Sequence, residues 1–347
     1  MPVKQTDIAL HAQVSPAAVS MVLRDPEHPQ FPPETRDRII RIARELNYVP
    51  NRTASNLRRG RSHAISLISA YNITELQDAV AEGLAPGDFG LMLHFSREGN
   101  HASLAKAVRT VLSEQPAGLI WLPAWGSEAT FDRAELRDAR SRVRDLGCPV
   151  VWLMNEPAWR EQSDFVWCDD RVGIDTAVEH LVDGGYEHLV FLSQGRPDLP
   201  RAWRWSSFEQ AAAARCVESR YVECRVHATP DDEIVHNLVR SCPPDTAIFC
   251  EGDWSAVPVV EAAHRFGRRI PDDLGVMTYG DSRIGSGFSV GQVLQPHVTA
   301  IRRPFDAIGR LAVERLVDRV EGRYRGRHRQ DRLATKLIVR ASTRRGV

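Results

Sequence analysis

The chain has 347 residues, 43% of them apolar and 26% charged, which is more than one hydrophobic core usually organises, so two or three domains are expected. No apolar run approaches membrane-spanning length and no charged-then-apolar leader opens the chain, so neither insertion nor secretion is expected and a cytoplasmic protein is. Cys148, Cys168, Cys216, Cys224, Cys242 and Cys250 form no C-x-x-C pair, so they read as small buried hydrophobes, not as a disulfide or zinc framework.

The 45 basic and 45 acidic residues cancel, but unevenly along the chain. Residues 1–62 hold ten Lys or Arg against six Asp or Glu, a balance of +4, and the remainder holds 35 against 39, a balance of −4. A basic head on an acidic body suits a local phosphate-binding surface, although solvated helices also carry such imbalances.

The first expected helix is Thr6 to Ala12, with Ile8, Ala9 and Ala12 on one side. After a turn at Gln13 and Val14, Ser15 can cap the next helix and Pro16 fits its first position. That second helix runs to about Leu23. Val19, Val22 and Leu23 point inward, and Ala17, Met21 and Arg24 share the opposite face. Two short helices around a tight turn match the unit whose second helix enters a DNA major groove. A third helix is expected from Pro33 to near Asn47, with Ile39, Ile42, Ala43 and Leu46 inward and Arg36, Arg38, Arg41 and Arg44 on wetter faces. From helices and charge alone, a three-helix mini-domain with solvated arginines remains an equal alternative.

The strings Val14-Ser15-Pro16-Ala17-Ala18-Val19-Ser20, Glu34-Thr35-Arg36 and Leu46-Asn47-Tyr48-Val49-Pro50-Asn51 occur in the order and spacing of one family's head. Arg52-Thr53-Ala54-Ser55-Asn56-Leu57-Arg58 continues the match. The chain thereby resembles the LacI/GalR repressors, and the rest of the head is read through that resemblance. It implies that Pro16, Ala17 and Met21 face the bases. All are apolar, so none forms a bidentate hydrogen bond, and direct readout is limited to contacts such as Ala17 and Met21 on thymine methyls. It implies that Ser20, Tyr48 and Asn51 hold phosphates and that Leu57 wedges into a minor-groove base step, with packing on a dimer mate as the plainer role for Leu57. Gln13 stands where the family usually has glycine, at a cost of roughly 1 kcal/mol if the backbone there is left-handed. Residues 51–62 form the expected hinge. Asn51 to Arg59 gives only about two helical turns, too few for an isolated helix, so it should order only on DNA.

From His63 on, apolar strands alternate with amphipathic helices. The expected strands are Ile65–Ser69, Leu91–Phe95, Gly118–Pro123, Pro149–Met154, Leu189–Leu192, Ala247–Cys250 and Gly275–Tyr279. The expected helices include Thr74–Leu84, Ser103–Glu114, Ile174–Asp183, Phe208–Ser219 and Ala256–Phe266. That alternation indicates parallel sheets covered on both faces, with ligands bound beyond the strands' carboxyl ends. Asp169-Asp170-Arg171, Thr246-Ala247-Ile248-Phe249-Cys250 and Val298-Thr299-Ala300-Ile301-Arg302 extend the resemblance. The implied fold is an all-α helix-turn-helix head (1–50) plus an α/β two-lobed periplasmic-binding-protein-like core (63–347).

The effector site departs from the family. Its sugar-gripping arginine falls at Ala202, its asparagine at Gly252 and its cleft aspartate at Gly280. Neighbours Arg201, Asp253 and Asp281 are the candidate replacements, Arg204 also lies close, and Trp125, Trp203 and Trp254 follow strand ends where aromatic faces stack on flat ligands. Core packing is the equal alternative for each tryptophan. No C-terminal heptads follow, so a homodimer on near-palindromic double-stranded DNA is expected. No phosphate loop, dinucleotide fingerprint, nucleophile elbow or metal spacing occurs, so neither an enzyme nor a cofactor or metal is implied. The expected function is a sequence-specific transcriptional regulator, a repressor of a sugar-utilisation operon released by a small-molecule effector. The alternative is an effector-independent, corepressor-controlled or protein-controlled regulator with a degenerate cleft.

Overall fold

A computed structural model describes residues 3–48, 62–87, 89–96, 101–123, 134–145, 147–153, 162–193, 202–224, 232–284 and 287–345. The chain separates into two compact units, Met1–Gly60 and Arg61–Val347.

The smaller unit consists of α1 (Gln5–Ala12), α2 (Pro16–Arg24) and α3 (Pro33–Glu45). Ile8, Ala12, Val19, Val22 and Ile39 are fully buried and make its centre, with Leu23, Leu46 and Tyr48 packed around them. The expected caps form: Ser15 Oγ accepts from the Ala18 N–H at 3.1 Å, and Pro16 opens α2. Gln13 sits at φ 53°, ψ 46°, the left-handed conformation that makes glycine the easier residue there.

The larger unit holds two six-stranded sheets. The first is ordered β13-β5-β4-β3-β1-β2 and all its pairings are parallel. Its strands are β1 (Ala64–Ser69), β2 (Gly90–Phe95), β3 (Gly118–Leu122), β4 (Val150–Trp152), β5 (Asp164–Cys168) and β13 (Gln330–Leu333). The second is ordered β14-β12-β9-β8-β6-β7 and is parallel except for β14 (Lys336–Ile338). It contains β6 (His188–Ser193), β7 (Glu218–Glu223), β8 (Thr246–Cys250), β9 (Gly275–Tyr279) and β12 (Thr299–Arg302). A small hairpin pairs β10 (Arg283–Ile284) with β11 (Phe288–Ser289).

Against the first sheet lie α4 (Thr74–Leu84), α5 (His101–Glu114), α6 (Ala134–Asp145) and α12 (Phe305–Val320). The second carries α7 (Asp170–Asp183), α8 (Ala202–Ala214), α9 (Glu233–Ser241) and α10 (Ala256–Arg265), and α11 (Val290–Val293) is a single turn after β11. The expected Phe208–Ser219 helix is shifted. It begins at Ala202 and ends before Cys216, whose φ of 55° breaks the helix, so Glu218 and Ser219 belong to β7. Among the described residues no helix is long and apolar enough to cross a membrane.

The chain passes between lobes at Cys168–Asp170, Arg302–Phe305 and Leu333–Lys336, and these crossings touch. The Asp169 N–H donates to the Leu333 carbonyl at 2.9 Å. A Cβ on Gly173 would lie 2.6 Å from Thr335 Oγ1 and 3.1 Å from Ile301 Cγ2, so the start of α7 fits only with glycine there.

Gly275 is tighter. A Cβ there would meet the buried Tyr186 ring at 2.4 to 2.7 Å, and that ring is pinned by the Arg345 guanidinium 4.0 Å from its centre. Overpacking at a rigid neighbour costs about 1–3 kcal/mol. Gly275→Ala should therefore lower the thermal midpoint by several degrees, measured by differential scanning calorimetry. An unchanged midpoint would show that Tyr186 yields.

Candidate nucleic-acid interface and effector cleft

In the smaller unit one face of α2 is locked inward and the other is open. Val19 and Val22 are fully buried, Pro16, Ala17 and Arg24 are exposed, and Ser20 and Met21 are half-buried. The helix therefore has one surface to offer, and it carries all three candidate base-facing residues. Tyr48 is half-buried against the helical core, and its N–H donates to the Ala43 carbonyl at 2.9 Å. Asn51 and Leu57 lie outside the described residues. The α3 arginines divide: Arg36 pairs with Glu27 at 3.3 Å, whereas Arg38, Arg41 and Arg44 are exposed.

In the larger unit, the strand ends converge on a buried polar cluster. Arg204, in the first turn of α8, is only 6% exposed. Its Nη2 lies 3.4 Å from Asp170 Oδ2 and its Nη1 3.4 Å from Glu251 Oε1. Asp170 opens α7 just past β5, Glu251 follows β8, and Ser193 and Tyr279 end β6 and β9. The Ser193 hydroxyl donates to Glu251, and the Tyr279 hydroxyl and the Cys168 thiol both donate to Asp170 Oδ1. The Arg204 guanidinium stands 5.1 Å from the Tyr279 ring centre and 5.4 Å from that of Trp203. Arg303, on the crossing after β12, reaches the Tyr279 ring from 5.4 Å and the Phe305 ring from 4.7 Å.

The electrostatics follow from burial and pairing. Burial pushes the Asp170 carboxyl up, but Arg204, Arg303 and the donors Cys168 and Tyr279 outweigh it and hold it below the usual carboxylate range. Burial, reinforced by Asp170, pushes the Cys168 thiol and the Tyr279 hydroxyl well up, so both stay protonated and donate. Burial pulls Arg204 down, and Asp170 with Glu251 more than offsets it.

Beside this cluster, a cavity of about 310 Å³ is lined by Glu75 and Phe305 from the first lobe and Asp281, Arg283, Phe288 and Arg302 from the second. Glu75 Oε1 accepts the Arg283 N–H at 2.9 Å across the lobes, and burial pushes the Glu75 carboxyl up.

Of the sequence-derived effector candidates, Arg201 and Trp125 lie outside the described residues. Trp203 is half-buried among the second-lobe aromatics, and Trp254 is 61% exposed. Asp253 is buried and braces the β9 turn, accepting the Ser282 N–H at 2.6 Å. Asp281 lines the cavity, but its Oδ2 is already shared by Arg302 and Arg340. Asp170, Glu251, Tyr279 and Arg303 were not singled out as site residues. The strand-end rule points to Glu251, the first residue past β8, and to Tyr279. What obscured them was matching family positions one residue further on.

Comparison with known proteins agrees with this geometry. Residues 5–51 match the model for bacterial regulatory proteins of the lacI family, and residues 178–343 match the periplasmic binding protein-like domain. The chain belongs to the LacI family of transcriptional regulators. The ribose operon repressor of Halalkalibacterium halodurans is 24% identical over 344 residues, covering 98% of this chain and 97% of that protein. The transcriptional repressor CytR of Escherichia coli K12 is 26% identical, covering 97% and 95%. The Lac repressor dimer bound to operator and the anti-inducer ONPF shares the fold at a TM-score of 0.80 and 20% identity, covering 99% of each chain. The regulator CelR in complex with cellobiose gives a TM-score of 0.65 at 22% identity, covering 98% and 99%.

Because the folded-state Asp170 is depressed, its contribution to stability is present above the unfolded value near 3.8 and is lost as pH falls through the folded value. Asp170→Asn should destabilise this LacI-family regulator by about 3 kcal/mol at pH 7, since it leaves the buried Arg204 short of one charge partner. The gap from wild type should start to narrow only below the unfolded value near 3.8 and close as pH falls through the lower folded value. Urea unfolding followed from pH 7 downward through that range measures both, and a pH-independent gap would exclude this origin.

Proposed function

We propose that this regulator is a cytoplasmic repressor that acts by binding and not by catalysis, as a homodimer on a near-palindromic operator. Residues 1–50 are its DNA reader, 51–62 its hinge and 63–347 its sensing and dimerisation core. Pro16, Ala17 and Met21 face the bases, Ser20, Tyr48 and Asn51 hold phosphates, and Leu57 is the minor-groove wedge. The observation that carries this reading is the α2 face: Pro16 and Ala17 are exposed and Met21 half-buried, opposite a fully buried Val19 and Val22.

Apolar readers recognise thymine methyls and leave the rest of specificity to DNA shape. A site selected by the full-length protein from random duplexes should contain thymines opposite α2. Replacing those thymines by uracil, or making Met21→Ala, should each weaken binding about fivefold, roughly the worth of a buried methyl group. The two changes should not add. Additive losses in a fluorescence-anisotropy titration would show that Met21 does not contact that methyl.

For the effector we propose an uncharged carbohydrate held between the lobes. The cavity lining sets Glu75, Asp281 and Asp306 against Arg283, Arg302 and Arg303, so it offers donors and acceptors without net charge. Phe288 and Phe305 supply apolar faces for a sugar ring. A second reading is favoured by the Arg204 cluster, whose two carboxylates are already met by Arg204 and by the Ser193 and Tyr279 hydroxyls, which would leave a cleft that senses nothing. Neutral mono- and disaccharides, ribose and cellobiose among them, decide between the two. A ligand at 100 times its dissociation constant adds about 2.7 kcal/mol to stability and should release the selected DNA. Protein that neither gains stability nor releases DNA with any of them supports the effector-independent reading.

A further inference from the structure

The α12 helix begins at Phe305, beside the cavity, and its 16 residues carry the chain about 24 Å to the opposite end of the first lobe. There the segment 321–329 leads into β13, whose first residue Gln330 pairs with Phe165 near the start of β5. Since every strand of this sheet is parallel, the segment lies on the edge where β1 begins at Ala64. β1 is the first element of the larger unit, so residues 1–60 precede this edge in the chain.

Directly after Glu321, residues 322–329 read Gly322-Arg323-Tyr324-Arg325-Gly326-Arg327-His328-Arg329, four arginines and a histidine, on a body whose balance is −4. Its backbone is held in place. Arg319 Nη1 donates to the Gly326 carbonyl at 2.8 Å and Nη2 to the Arg327 carbonyl at 3.0 Å, where the Tyr324 hydroxyl also donates at 3.0 Å. Arg329 stacks 3.6 Å from the Tyr324 ring centre and pairs with Asp318 at 3.0 Å. Arg323 is likewise paired with Asp318 and Glu321, and His328 lies 3.5 Å from Asp164. Arg325 and Arg327 are exposed and have no acidic partner among the described residues. Arg315, Arg319 and Arg310 of the same lobe are paired, with Asp331, Asp164 and Asp306. Two unneutralised guanidiniums on a pinned loop form a preset site for anions spaced along a chain.

We propose that this loop is an accessory phosphate-binding surface which grips the backbone of the DNA flanking the site read by the N-terminal unit. The proposal rests on the DNA-binding reading above. The contact is independent of sequence, since phosphates carry none, and it adds to affinity through counterion release.

The test uses the full chain and two duplexes carrying the site selected from random sequence, one trimmed to the selected bases and one with about 15 flanking base pairs on each side. Wild type should bind the longer duplex more tightly and with a steeper salt dependence. Arg325→Gln with Arg327→Gln should weaken binding to the longer duplex about threefold to tenfold at 0.1 M salt and flatten its log–log salt slope by about 2 per chain. Binding to the short duplex and the thermal midpoint should not move, and Arg325→Lys with Arg327→Lys should restore most of the slope. Equal binding of wild type and variant to the longer duplex, or equal losses on both duplexes, overturns the loop's role. Failure of wild type to bind even the short duplex would instead sink the DNA-binding reading.

Discussion

The larger unit depends on one buried cation. Placing a guanidinium at 6% exposure is unfavourable unless its charge is matched where it sits, and Arg204 is matched twice, by Asp170 and Glu251. The partners arrive from separate parts of the chain. Asp170 stands on the first crossing between lobes and Glu251 follows a central strand of the second sheet, while Arg303, a second cation, reaches the Tyr279 ring from the returning crossing. One charge thus ties together segments about eighty residues apart. Apolar packing joins the same elements of the second lobe from beneath, and the charge adds a fixed direction at the strand ends where that packing stops.

This arrangement makes the lobe junction sensitive to whatever competes for Arg204. Its ion pairs at 3.4 Å are longer than an ideal charge-assisted hydrogen bond, so they hold without being optimal. A polyol able to replace Asp170 would move the crossing attached to it, whereas a ligand confined to the neighbouring cavity acts on Glu75 and Arg283. The two routes predict different responses to Asp170→Asn, which removes the first and spares the second.

Much of this was legible in the sequence, for identifiable reasons. The α2 cap was readable because Ser15 and Pro16 act locally, and α4 and β9 were bounded correctly because Thr74–Leu84 and Gly275–Tyr279 each form one uninterrupted apolar pattern. What escaped lacks that pattern. Strand β7, Glu-Ser-Arg-Tyr-Val-Glu, lies at a sheet edge with half its residues wet, and β13 carries Gln330, Asp331 and Arg332, so neither announces a buried strand. Asp164–Cys168 is fully buried yet does not read as a core strand, because its five residues begin with an aspartate whose charge is cancelled by Arg319 from far along the chain. Such pairing is invisible to any local window. The Arg204 cluster was hidden for the same reason: its members are ordinary charged residues until the crossings bring them together.

The head poses the opposite problem, with a legible fold and a thin code. On the proposed reading, in which α2 presents Pro16, Ala17 and Met21 to the bases, the helix supplies shape and methyl contacts but no hydrogen-bond donors to base edges, and its discrimination per base pair is small. Sequence-independent contacts then set affinity, and affinity without discrimination is spread over the whole genome. For such a protein to find its sites, specificity has to come from DNA deformation, which is energetically steep where base contacts are not: bending a site of 20–30 base pairs costs on the order of 1–6 kcal/mol, depending on its sequence. A dimer that bends its site converts that cost into selection. The wider its phosphate grip, the more bending it can enforce. The proposed apolar recognition face in the head and the proposed phosphate grip of the core would then be parts of one solution, in which the protein reads how readily DNA yields more than which bases it presents.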